Sequence, residues 1–204
     1  AMGWVVNLMQ RGTASLKRIK EILDEQPAIA PPPVPRPLAA VRGEIEFRDV
    51  EVRFASGAAL AGVSLVIPAG STVAIVGHTG SGKSTLVQLI PRLLDPTSGQ
   101  VLLDGVDLRE FDPRDIRRHI GMIPQETFLF SATLGDNIAF GVENATGARI
   151  AEAARIAGLE PDIASFPDGL ATVVGERGIT LSGGQKQRTA IARAILRDPA
   201  VLVL

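Results

Sequence analysis

The sequence predicts an α/β fold, and three observations carry that reading. A glycine-rich run, Gly77-His78-Thr79-Gly80-Ser81-Gly82-Lys83-Ser84-Thr85, sits between an apolar run at 72–76 and a helical run at 85–94. That is the strand–loop–helix order of an α/β unit. Upstream, residues 44–54 alternate apolar and polar as a half-buried strand does. Downstream, helical and strand-like apolar runs alternate to the last residue, Leu204. The 204 residues suffice for one globular domain plus an appendage, and 46% hydrophobic residues suffice for a core.

In chain order, the spacing of Leu8, Leu16, Ile19, Ile22 and Leu23 predicts a helix from Trp4 to about Glu25. Six prolines in the eleven residues from Pro27 to Pro37 follow. Proline fixes its φ and lacks an N–H, so this stretch predicts an extended, semi-stiff connector that does not pack into a core. The globular domain begins near Gly43. Ile45, Phe47, Val50, Val52 and Phe54 form a strand whose phase slips near Asp49, which predicts a bulge or bend. A second strand spans 63–67 and is closed by Pro68-Ala69-Gly70. Asp104-Gly105, between 101–103 and 106–108, is a two-residue hairpin signal. Early strands joined by tight turns predict an antiparallel sheet beside the glycine-loop core. Residues 120–123 read as a short buried strand, 148–157 as a helix stopped by Gly158, 185–196 as a helix, and 201–204 as an apolar strand. No internal repeat is evident.

Composition excludes several classes. A net charge of −1 gives no basic signature for nucleic acid. Cysteine is absent, which excludes disulfides and thiolate metal sites. No stretch reaches 18 uninterrupted apolar residues, and residues 1–10, though apolar-leaning, are too short to span a bilayer and lack a basic leader.

The glycine run has the form GxxxxGK[ST]. Backbone N–H groups of such a loop can point inward only where side chains leave room, and Gly77, Gly80 and Gly82 leave it. These amides and the following helix start favour negative phosphates. Residues 77 to 85 are therefore the candidate phosphate cradle, including His78, Thr79 and Ser81. Lys83 is expected to reach the β- and γ-phosphates as a catalytic point charge. Ser84 is expected to ligate Mg²⁺, and Thr85 to sit near the α-phosphate. His78 occupies a variable position of the motif, with its side chain expected to face outward.

A second motif, Leu181-Ser182-Gly183-Gly184-Gln185-Lys186-Gln187-Arg188, opens the last helix. Alone it is an N-cap and a turn. Paired with the glycine loop, with Ser182 lying 99 residues after Lys83, it resembles the signature of the ATP-binding-cassette superfamily. The resemblance covers residues 44–204. It implies a P-loop NTPase (RecA-like) core with an antiparallel β subdomain and an inserted α-helical subdomain at about 126–180, C-terminally incomplete. It implies ATP and Mg²⁺ as cofactors. It also implies head-to-tail pairing with a second cassette, in which Ser182, Gly183, Gly184 and Gln185 meet an ATP bound by the partner. Gln125 looks like the family's glutamine at a strand end, a catalytic and metal-approaching residue. Phe54 falls where the family places an adenine-stacking aromatic.

Resemblance also suggests the setting. The stretch from Gln125 to Ser131, with Phe128, Leu129 and Phe130, is either local core or a docking face for coupling helices of a transmembrane domain. Glu176, in a loop similar to one typical of exporters, would contact the same helices. Residues 1–26 resemble the cytosolic extension of an exporter's last transmembrane helix, joined through a linker at 27–43 to the cassette at 44–204. The parent is thus expected to be a fused exporter at the cytoplasmic face of the cell membrane, hydrolysing ATP to drive export, with no nucleic-acid partner. The family pattern continues with Asp-Glu and a switch histidine, whereas this sequence ends at Leu204 and its two histidines, His78 and His119, lie elsewhere. Weak nucleotide binding with little turnover is the expectation for the fragment. Two rivals stand beside this reading. A DNA-maintenance ATPase would separate the two motifs by a long coiled coil, of which there is no sign. A non-catalytic, nucleotide-dependent dimer clamp or regulatory module would differ only in residues past Leu204. Cargo is not legible in this sequence.

Overall fold

A computed structural model describes residues 2–175 and 179–204 and divides into two compact units, residues 1–30 and 31–204. In the first unit, α1 (Met2–Leu23) is a single helix with no buried residue. None of the described helices is long and apolar enough to cross a membrane.

The second unit opens with an antiparallel sheet in the order β2-β1-β3-β4. Its strands are β1 (Ile45–Phe54), β2 (Gly57–Ile67), β3 (Ser98–Leu103) and β4 (Val106–Asp107). The phase slip at Asp49 is a real bulge: Asp49 has φ 47°, and the β1–β2 register shifts between Phe47 and Val50. The slip turns Phe47 and Val50 both inward, at 1% and 0% exposure. Across the bulge, Gly99 (φ 80°) lies against the Asp49 carbonyl, where a Cβ would collide. The β3–β4 turn has positive φ at both Asp104 (50°) and Gly105 (83°), the two-residue hairpin its sequence predicts.

Three expectations need amendment. Residues 71–78 belong to no strand; Val76 is 87% exposed and Val73 also faces outward. The run is apolar enough for a strand, but no described segment supplies the ladder partners that a strand requires. The second strand starts at Gly57 rather than Val63, because the tight β1–β2 hairpin extends pairing to Phe54↔Gly57. The end of the connector packs after all. Leu38 and Val41 lie against the main core, Arg36 N–H donates to the Glu110 carbonyl at 2.8 Å, and the Asp104 carboxylate accepts from the amides of Arg42 (2.7 Å) and Glu44 (3.0 Å).

The remaining elements are α2 (Lys83–Leu89), α3 (Pro113–His119), β5 (Ile120–Met122), β6 (Ala132–Thr133), α4 (Leu134–Ala139), α5 (Gly147–Ile156), α6 (Glu160–Ser165), β7 (Val173–Val174), α7 (Gly183–Leu196) and β8 (Val201–Val203). Two cores result. The first joins the antiparallel sheet to α2, α3 and the parallel pair β5-β8 through Leu89, Ile116, Ile120 and Val203. The second is helical, built on Leu134, Ile138, Ala154, Leu159 and Ala192. Helix α7 faces two ways: Ala192 and Leu196 pack into the helical core, while Ala190 and Ala194 pack on Ile123 in a third, small cluster. The result is a mixed α/β architecture with a four-stranded antiparallel sheet and a separate helical core.

Candidate functional site

The loop of residues 77–82 is held open by backbone geometry rather than by bulk. Gly80 and Gly82 have φ of 83° and 86°, a region L-residues avoid. Gly82 admits no side chain, because a Cβ there would lie 2.5 Å from the Ala59 carbonyl oxygen and 2.8 Å from Leu60 Cδ2. At Gly77 a Cβ would come within 2.8 Å of Ser81 Oγ, so the loop closes tightly on itself. The Ser81 N–H donates to the His78 carbonyl at 3.3 Å. Residues 77–81 are exposed on their outer side.

Lys83 folds back over this loop. Its ammonium donates to the carbonyls of Gly77 (2.8 Å) and His78 (2.9 Å). No carboxylate lies within ion-pair distance of it among the described residues. A cation held only by carbonyl dipoles can release them for a stronger acceptor, and a phosphate is one. The cradle therefore fits a polyphosphate. No group of three His, Asp or Glu side chains is placed to hold a metal among the described residues. A divalent cation here would take most of its oxygens from the phosphates and water, with the exposed Ser84 hydroxyl as the available protein donor. His78 points its Nδ1 at the Thr79 carbonyl (3.1 Å) and stays exposed.

Phe54 is 52% exposed at the β1–β2 hairpin end and is not a core residue. The same hairpin meets the loop, through Ala59 and Leu60 against Gly82. One strand pair thus carries both the aromatic and the buttress of the cradle.

The Ser182 turn is a closed capping box. Ser182 Oγ accepts from Gln185 N–H (3.3 Å), and Gln185 Oε1 accepts from Ser182 N–H (2.9 Å). Ser182, Gly183 and Gly184 are exposed. No hydrogen bond or ion pair joins this turn to residues 77–85 among the described residues. Gln125 is exposed just past β5, and its side chain makes no hydrogen bond among the described residues.

Sequence reasoning left the next stretch open between core and docking face, and the structure divides it. Leu129 packs on the helical core, while Phe128 and Phe130 are 67% and 39% exposed. Phe130 stacks on Phe140 at 4.5 Å and meets Phe128 edge-on at 5.1 Å. Two residues that sequence reasoning missed hold this patch. Asn137, 1% exposed, accepts from Phe130 N–H (2.9 Å) and donates to the carbonyls of Phe130 and Thr133 (both 3.0 Å). Arg193 of α7 donates to the carbonyls of Asn137 (2.8 Å) and Phe128 (3.2 Å) and lies over the Phe140 ring. Burial lowers the Arg193 pKa from its ordinary value. No local signal marks either residue, since their partners lie up to 65 positions away. Glu176 falls outside the described residues.

Comparisons with known proteins point to one family. The ABC transporter family model matches residues 60–204. The ATP-dependent lipid A-core flippase of Methylococcus capsulatus is 45% identical over 210 residues, covering 98% of this chain and 33% of that protein. The mitochondrial potassium channel ATP-binding subunit of Xenopus tropicalis is 48% identical over 198 residues, covering 95% of this chain and 29% of that protein. A solved structure of a bacterial Atm1-family ABC exporter with ATP bound superposes with a TM-score of 0.91 at 37% identity, over 98% of this chain and 35% of that one. The chain spans about a third of the length of these three proteins.

Proposed function

Because the chain belongs to the ABC transporter family, we propose that it is the nucleotide-binding cassette of an exporter, gripping ATP between its own residues 77–85 and the Ser182 turn of a second cassette. The observation that carries this reading is the separation of two anion-ready ends. The Lys83 loop and the Ser182 turn each carry exposed residues, and among the described residues no hydrogen bond or ion pair links them within one chain. Each is half of a site, and a head-to-tail pair completes both.

In this reading Lys83 exchanges the carbonyls of Gly77 and His78 for the β- and γ-phosphates. The amides of residues 77–82 wrap the phosphate chain, and Thr85 stands near its α end. Ser84 offers its hydroxyl to Mg²⁺, which Gln125 approaches from the end of β5. The Phe54 ring stacks on adenine, presenting a π face without a hydroxyl. ATP with Mg²⁺ supplies the phosphoanhydride whose hydrolysis drives the cycle, and the protein's part is positioning and charge neutralisation. Lys83 and the partner's Ser182, Gly183, Gly184 and Gln185 provide that part from opposite sides.

The exposed Phe128–Phe130–Phe140 patch supports a docking role for residues 125–131 toward a transmembrane domain at the cytoplasmic face, and Glu176 is assigned to the same helices from its sequence motif alone. Residues 1–26 are read as the cytosolic continuation of that domain, and 27–43 as the linker. Relatives named for different roles match this stretch about equally, so cargo choice is assigned to segments outside it.

Sedimentation velocity tests the proposal. The chain is expected to be monomeric alone and to self-associate with ATP and Mg²⁺. A Ser182→Arg variant is expected to bind ATP yet remain monomeric. A wild-type chain that binds ATP without associating contradicts the two-sided site.

A further inference from the structure

The Ser182 turn owes its shape to a residue outside it. Asp162, in the short helix α6, sends one carboxylate oxygen to each of two side chains of α7. Its Oδ1 accepts from Gln185 Nε2 at 3.1 Å, and its Oδ2 accepts from Arg188 Nε at 2.9 Å, with Arg188 Nη2 at 2.8 Å. The carboxylate is largely covered, at 17% side-chain exposure.

This contact fixes the orientation of a carboxamide. A carboxylate only accepts, so the Gln185 side chain must present its NH₂ to Asp162. That leaves Oε1 facing the Ser182 N–H, where it closes the capping box at 2.9 Å. Turned the other way, Gln185 would set oxygen against oxygen at Asp162 and nitrogen against nitrogen at Ser182. With the box closed, Ser182 Oγ accepts from the Gln185 amide and keeps its own proton to donate outward. The first-turn amides of Gly183 and Gly184 have no intrahelical acceptor. Arg188, held by the same carboxylate, passes beneath the second glycine; a Cβ at Gly184 would lie 3.3 Å from Arg188 Nη1.

We propose that Asp162 is a positioning residue for the nucleotide clamp: by orienting Gln185 and Arg188 it holds Ser182, Gly183 and Gly184 ready for the phosphates carried by a second copy. The proposal rests on the two-sided site described above. Both Asp162 carboxylate oxygens are spent on α7, and both Gln185 polar ends are already engaged within the chain. Gln185 then contributes mainly by bracing Ser182.

The experiment uses the 204-residue chain and reads two quantities: ATP affinity of the dilute monomer, and ATP- and Mg²⁺-dependent self-association by sedimentation velocity. Asp162→Ala is expected to weaken self-association about tenfold or more, the scale of losing charge-assisted hydrogen bonds, while monomer affinity changes less than about twofold. Asp162→Asn, which keeps the shape and one acceptor, is expected to fall between wild type and Asp162→Ala. Leu159→Ala is the control for loosened packing, since Leu159 is fully buried at the start of α6 and its side chain has no polar atom to bond the turn. A merely structural Asp162 would lower self-association only in step with lost thermal stability, as Leu159→Ala does, and that outcome overturns the proposal. Wild-type association matched by Asp162→Ala also overturns it, and leaves the two-sided site standing. A wild type that never associates with ATP overturns the two-sided site, and the positioning role falls with it.

Discussion

The Cβ that Gly82 lacks would stand 2.5 Å from the carbonyl oxygen of Ala59. The loop of residues 77–82 is therefore seated on β2 by backbone contact, and its glycine is required by space as well as by φ. Gly82→Ala combines a left-handed alanine with an overpacked contact and is expected to cost about 2–4 kcal/mol. Gly80 has a similar φ of 83° but open space around it, so Gly80→Ala should cost about 1–2 kcal/mol. Urea unfolding of both variants checks the difference; equal losses would show that the Ala59 contact is immaterial.

Phe54 is half exposed at the hairpin end that also buttresses Gly82. A ring kept in solvent is expected to matter for ligand rather than for fold. Phe54→Ala should weaken ATP binding by about 1 kcal/mol, roughly fivefold, with stability unchanged within about 0.5 kcal/mol. Phe54→Tyr should bind ATP as wild type does. Fluorescent-nucleotide titration reads the first effect and thermal melting the second.

Asn137 spends its carboxamide on the backbone around Phe130 and on Arg193. Asn137→Ala leaves a part-buried amide and a half-buried guanidinium short of acceptors, at an expected cost of about 2–4 kcal/mol. Hydrogen exchange of the Phe130 amide should speed up more than exchange in β1, since the clamp is local.

Asp112 caps α3 and binds Arg114, whose side chain and amide hold the Asp112 carboxyl down from 3.8 to about 2. A carboxyl with a depressed folded pKa stabilises fully above its unfolded value and loses that contribution as pH falls through the folded one. Acid denaturation should therefore steepen between 3.8 and about 2. Asp112→Asn, which keeps a capping oxygen without the charge, should flatten that part of the profile. Circular dichroism across this range decides it.

Features set by neighbouring residues were legible in the sequence. The bulge at Asp49, the Asp104-Gly105 turn, the stop at Gly158 and the Ser182 cap each rest on a few adjacent side chains. Features set by distant partners were not. Residues 72–76 look like a strand, but a strand exists only where another lies beside it. Leu38 and Val41 follow a proline run that suggested a free connector, and only the folded sheet offers them a surface. Asp162 and Arg193 gain their roles from α7 and the 125–131 stretch respectively, across gaps that periodicity does not reach. The two glycine motifs were found because phosphate chemistry concentrates its requirements into short runs.

The central claim is that the loop around Lys83 binds the phosphates of ATP. Isothermal titration of the folded chain with ATP and Mg²⁺ tests it directly, alongside Lys83→Ala. Measurable binding by the wild type is expected, with a loss of about tenfold or more in the variant, the worth of charge-assisted contacts to phosphate. Folded wild type that takes up no ATP, or Lys83→Ala that binds as tightly, would contradict it.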